Sequence, residues 1–124
     1  MRTVGDEDTA VAVGSGEVPV LASSRLIEWC EQATVECLHR PGDDIGLGDG
    51  RTTVMVRVHL DHLKPASVGC QVTATATLER VEGRRFVFDV NVVDVDGDVL
   101  ADGRMVRVQV EIAPFLASAR GREL

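Results

Sequence analysis

The chain has room for only one long helix, and that helix must serve a sheet built from everything after it. Val20 to Leu38 carries the only long apolar stripe with helical spacing. From residue 51 onward the pattern changes to four strand-like runs, 52–62, 70–81, 84–93 and 99–112. Val dominates these runs and aromatics are scarce (three Phe, one Trp, no Tyr), so the core is aliphatic and β-prone. Glu82-Gly83 and Asp96-Gly97 mark tight turns between the last three runs. A short alternating stretch, Thr9 to Val13, reads as a further strand before the helix. Residues 1–8 and 117–124 read as loose termini. The expected fold is α+β, with a five-stranded antiparallel sheet around one central helix and a single domain over 1–124. One helix covers one face of such a sheet, so the other face is solvated or meets a partner.

The helix is expected over residues 22–38, with Ser23 or Ser24 as N-terminal cap and Pro41-Gly42 as the stop. On a wheel, Leu26, Ile27, Cys30, Ala33, Thr34, Cys37 and Leu38 fall within an arc of roughly 140°. Glu31 lies about 20° beyond that arc, the one acid of the helix held close to the core. Arg25, Glu28, Gln32 and Glu36 lie opposite. In the following run, alternation puts Val54, Val56, Val58, Leu60 and His62 on one face. Met55, Arg57, His59 and Asp61 take the other. An imidazole and a carboxylate thus fall on the two surfaces that pack together, which suits acid–base chemistry. An ordinary boundary Glu and a satisfied core His are the commoner explanation of the same pattern.

The net charge of −7 and the lack of aromatic platforms argue against nucleic-acid binding. No apolar run reaches the ~18 residues of a membrane span, and the first residues lack the apolar core of a signal peptide. A cytoplasmic protein is expected. Cys30, Cys37 and Cys70 form no CxxC and suggest neither a disulfide framework nor a metal site. GSG (14–16) and GLGDG (46–50) lack the lysine of a phosphate loop. The Asp94/Asp96/Asp98 cluster reads as a hairpin turn rather than a calcium loop. Arg84, Arg85, Arg104 and Arg107 read as solvated strand residues, with phosphate contacts as the other reading.

Four segments resemble the fluoroacetyl-CoA thioesterase-like group of hotdog-fold acyl-CoA thioesterases. They are VLASSRLIEWCEQA (20–33), His62-Leu63 with Pro65 and Gly69, Val81 to Phe86 (VEGRRF), and Gly103-Arg104 with Arg107 and Val108. They occur in the family's order and at its spacing over about residues 9–116. The resemblance implies a hotdog fold and hydrolysis of an acyl-CoA thioester to free acid and CoA. No cofactor beyond the substrate's own coenzyme A is implied. It assigns catalysis to Ser23, Glu31 (base or nucleophile) and His62 (proton shuttle), and substrate contacts to Ser24, Gly69, Arg84, Arg85 and Arg104. Ser23 stands where the family has Thr. It also implies a homodimer or higher oligomer with the site at the interface. The stretch GEVPV before the helix lacks the aromatic lid of the fluoroacetyl-specific enzyme, which favours a different or larger acyl group. A hotdog hydratase or dehydratase, or a non-catalytic acyl-thioester-binding module, are the alternatives.

Overall fold

The computed structural model describes residues 1–39, 47 and 49–121. The Pro41-Gly42 stop and most of the 43–50 loop lie outside the described residues. The elements in chain order are β1 (Arg2–Thr3), a 3-10 turn (Asp6–Asp8), α1 (Ala10–Val13), α2 (Ser23–Leu38), β2 (Arg51–His62), β3 (Gln71–Glu82), β4 (Arg85–Asp94), β5 (Val99–Glu111) and α3 (Ile112–Ala119). The five strands form one antiparallel sheet in the order β1-β3-β4-β5-β2. One face of this sheet packs against α2. Leu26, Cys30, Ala33, Cys37 and Leu38 of the helix meet Val72, Ala76, Phe86, Phe88, Val90, Val92, Leu100 and Met105 of the strands. Among the described residues no helix is long and apolar enough to cross a membrane.

The fifth strand is not where alternation puts it. Thr9–Val13 makes only a bridge at Thr9, to Leu21, and then turns into α1. Thr9 Oγ1 accepts the amide of Ala12 at 3.1 Å, and Gly14 closes the turn at φ 77°. A side-chain cap at one end and a left-handed glycine at the other outweigh the strand propensity of two valines. The sheet edge is taken instead by β1, inside the segment expected to be loose. Val4 is fully buried behind it. Asp8 is buried too, and binds Arg25 of α2 at 3.1 Å. Arg2 reaches across to α2, stacking its guanidinium over Trp29 at 5.4 Å and bonding Gln32. The C-terminal expectation also changes: residues 112–119 form α3, with Ala117 buried.

The inner face of β2 switches partway along. A bulge at Val56, between Met55 and Arg57, interrupts the register with β5. Thr53 is buried and Met55 packs on the core before it; Leu60 packs on the core after it. Val54 and Val56 therefore leave the inner face they were expected to share with His62, because one extra residue flips the parity of every position before it. His62 keeps the inward side. Its cross-strand partner Ala101 is fully buried.

Candidate active site

Helix α2 begins with an alanine as its cap. Ala22 has no side-chain oxygen, so Ser23 is the first residue of the helix rather than the cap expected from sequence. Two consequences follow. Among the described residues no hydrogen bond takes up the backbone N–H of Ser23 or Ser24, as is normal for an uncapped first turn. The Ser23 hydroxyl is also free to turn sideways, and its Oγ lies 2.7 Å from His62 Nδ1. The other ring nitrogen, Nε2, is buried and has no partner among the described residues. A buried polar atom left open beside helix amides makes this end of α2 the candidate site.

The loop after His62 is pinned on both sides. Leu63 and Lys64 donate their amides to Leu100 O, and Lys64 Nζ bridges Asp94 and Asp98 at 3.0 and 2.8 Å. Asp94 also accepts the amides of Asp96 and Asp98. Its carboxyl is held below the usual range, first by Lys64. The Asp94/Asp96/Asp98 cluster is therefore the expected hairpin turn, and it clamps the end of β2.

Glu31 is half-buried at the edge of the helix stripe, as the wheel predicts. It stands eight positions from Ser23, about 12 Å along the helix axis. Beside it lies a residue that sequence reasoning grouped with the solvated arginines. Arg107 is only 8% exposed and points inward from β5. Its Nε donates to Thr53 Oγ1 at 2.8 Å, Nη2 to Thr53 O at 3.1 Å, and Nη1 to Thr34 Oγ1 at 3.2 Å. Thr34 in turn donates to Glu31 O at 2.6 Å. Burial lowers the Arg107 guanidinium from its usual range, and the charge of Glu31 opposes that shift. Parity held the signal: Arg107 shares its side of β5 with buried Met105, whereas Arg104 faces the other way.

The residues expected to touch substrate scatter. Ser24 is exposed on the first turn of α2, beside the Ser23–His62 pair. Gly69, in the β2–β3 loop at φ 94°, spends its amide on Val4 O at 2.8 Å. Arg84 and Arg85 are exposed at the β3–β4 hairpin, at the end of the sheet away from His62. Arg104 lies on the outer face, where Glu79 and Asp89 engage it at 3.1 and 3.3 Å. That face carries a shallow hollow of about 920 Å³ over Val87 and Val106, which contains none of Ser23, Glu31 and His62. Cys30 and Cys37 are buried free thiols, and burial pushes Cys30 up to about 11.

A curled antiparallel sheet around one helix defines a hotdog fold. A hypothetical protein of Thermus thermophilus, described as a thioesterase superfamily member, superposes with a TM-score of 0.84 at 25% identity. That match covers 97% of this chain and 85% of the other. A hot-dog-like protein of Thermanaerovibrio acidaminovorans gives 0.80 at 31% identity, covering 97% and 84%. The fluoroacetyl-CoA thioesterase FlK gives 0.83 at 22%, covering 99% and 91%. No curated protein sequence matches the chain. The model of the family "FlK: Fluoroacetyl-CoA-specific thioesterase" matches residues 4–113, and the chain belongs to that family.

Proposed function

We propose that this protein hydrolyses an acyl-CoA thioester to the free acid and CoA, in a site shared between two copies of the chain. The observation that carries the reading is the Ser23–His62 pair with its open, buried Nε2. Family membership supports the hydrolase class. Among the structural neighbours, one mutant of FlK is in complex with fluoroacetate and CoA and another with acetyl-CoA, which supports an acyl-CoA substrate.

The sharing follows from where the parts lie. Ser23 and His62 occupy one end of β2. Glu31 belongs to the other end, because Arg107 joins its helical turn to Thr53. β2 is a sheet edge twelve residues long, with Val58 40% exposed along it. Such an edge invites pairing with another strand. Antiparallel pairing of β2 with β2 of a second copy about a two-fold axis exchanges the two ends. The partner subunit's Glu31 then comes beside Ser23 and His62, and the converse holds at the second site.

In this arrangement the open amides of Ser23 and Ser24 polarise the thioester carbonyl and hold the developing oxyanion. His62 Nδ1–H donates to the Ser23 hydroxyl oxygen, which leaves Nε2 free to take up and pass on a proton. Glu31 takes a proton from the attacking water, or attacks the carbonyl itself to give an anhydride that water opens. The C–S bond breaks, and His62 Nε2 relays to the departing thiolate the proton given up by the attacking water through Glu31, or by the water that opens the anhydride. No aromatic stands in Gly16–Val20 before the helix, which favours an acyl group different from or larger than fluoroacetyl.

Thiol release from CoA esters of short, long and aromatic acids tests the reading. The purified protein is expected to release thiol with at least one acyl class. Silence across the whole panel would move the assignment to a binding module or a non-hydrolytic enzyme.

A further inference from the structure

We propose that Lys64 is a positioning residue for the Ser23–His62 pair, setting the distance between the two side chains through the loop on which both depend. The inference rests on the assignment of His62 above. The pair joins the start of α2 to the end of β2, so its 2.7 Å approach depends on what holds those two ends together. The loop after His62 does this. Leu63 and Lys64 donate their amides to Leu100 O at 2.7 and 3.2 Å, which holds the end of β2 on β5. Two residues further on, Ala66 O accepts the amide of Leu21 at 2.8 Å, and Ser67 bridges Val20. The same loop is thereby tied to the segment that enters α2. Residues 63–67 thus carry His62 on one side and Ser23 on the other.

Lys64 braces this loop from outside. Its ammonium bridges Asp94 at 3.0 Å and Asp98 at 2.8 Å, across the β4–β5 hairpin. The two carboxylates, Asp98 first, raise it above its usual range. An isolated exposed ion pair adds little, but this one is part of a network. The Asp94 side chain is only 8% exposed, and its Oδ1 accepts the amides of Asp96 and Asp98 at 2.9 and 3.0 Å. A buried carboxylate stripped of its cation forces its surroundings to adjust. The hairpin also decides where Leu100 stands. Leu100 is the extra residue where the β4–β5 register shifts, between the pairs Val92–Ala101 and Val93–Val99. The carbonyl that receives Leu63 and Lys64 is therefore set by the shape of the turn that Lys64 grips. Asp61, the charged neighbour before His62, faces His59 at 3.5 Å and braces nothing in this loop. A reacting group misplaced by an ångström costs up to about a hundredfold in rate.

The test compares Lys64→Met and Lys64→Arg with wild type, following kcat and KM for the best thioester and the melting temperature. Lys64→Met keeps the stem and removes the charge. It is expected to lower kcat by about 5- to 20-fold with KM within about twofold. Lys64→Arg can still meet both carboxylates and is expected to recover most of that loss. A readout free of turnover is the His62 Nδ1 proton in NMR spectra, identified by its absence from His62→Ala. It is expected in wild type and Lys64→Arg, and weakened or lost in Lys64→Met. No such proton in wild type would remove the Ser23–His62 contact, and the proposal with it. Wild-type kcat in Lys64→Met, a raised KM with kcat intact, or no recovery with Arg would each overturn the proposal, even beside a lowered melting temperature. If Lys64→Met fails to fold, Asp98→Asn takes its place: lowered kcat at unchanged KM supports the proposal, and wild-type kinetics overturns it. Turnover of His62→Ala is measured in parallel. Wild-type turnover there removes the catalytic assignment itself, whereas an inactive His62→Ala beside a fully active Lys64→Met removes only this inference.

Discussion

Glu31→Gln is expected to lose thiol release by about 10²- to 10⁴-fold while folding normally. The substitution keeps the shape and removes only the charge. Glu31 sits half-buried at the rim of the helix stripe, where a neutral amide costs the core nothing. Stability should therefore stay within about 0.5 kcal/mol of wild type, as for surface substitutions generally. His62→Ala is expected to fall as far in rate, because it removes the proposed proton shuttle and leaves Ser23 Oγ without its partner. The check is thiol release together with a thermal melt for each variant. Turnover within a few-fold of wild type in either variant would take that residue out of the chemistry.

Gly103→Ala is expected to damage both fold and activity from a position that touches no substrate. Gly103 lies opposite Leu60, two pairs from His62. A Cβ built there would stand 1.9 Å from His59 O and 2.9 Å from Leu60 Cα. Both atoms are backbone, so no side chain can swing aside. β2 would have to lift away from β5 next to His62. Overpacking of this kind costs about 1–3 kcal/mol, and more where backbone must move. A melt lowered by several degrees with reduced kcat is the expected result. An unchanged melting temperature would mean that the strands do not approach so closely here.

Most of this architecture can be read from residue pattern, and the departures have identifiable causes. The 3.6-residue stripe of α2 and the alternation in β3 to β5 are long signals, and they place the helix and sheet correctly. Glu31 at the stripe edge and His62 on the inward side follow from the same periodicities. The bulge at Val56 could not be seen, because an extra residue leaves the run of β-branched residues unbroken. The fate of Thr9–Val13 depended on a side-chain cap competing with alternation over very few residues. β1 is two residues long and owes its place to Val4 packing behind it rather than to its own propensity. Arg107 was legible by parity, yet charge argued for the surface and concealed it. The distance between Ser23 and Glu31 along the helix was also in the sequence. What pattern cannot supply is the second copy that, in the proposed arrangement, brings the ends together.

A mixing experiment tests that central claim most directly. Glu31→Gln and His62→Ala proteins are each inactive alone under this mechanism. If each site takes His62 from one chain and Glu31 from the other, a mixed dimer holds one doubly damaged site and one intact site. Co-refolding equal amounts should then restore roughly a quarter of wild-type thiol release, since about half of randomly formed two-fold dimers are mixed. If Glu31 and His62 of the same chain act together, every site in the mixture carries a defect. A mixture as inactive as its parents, with exchange verified by mass, would contradict the shared site.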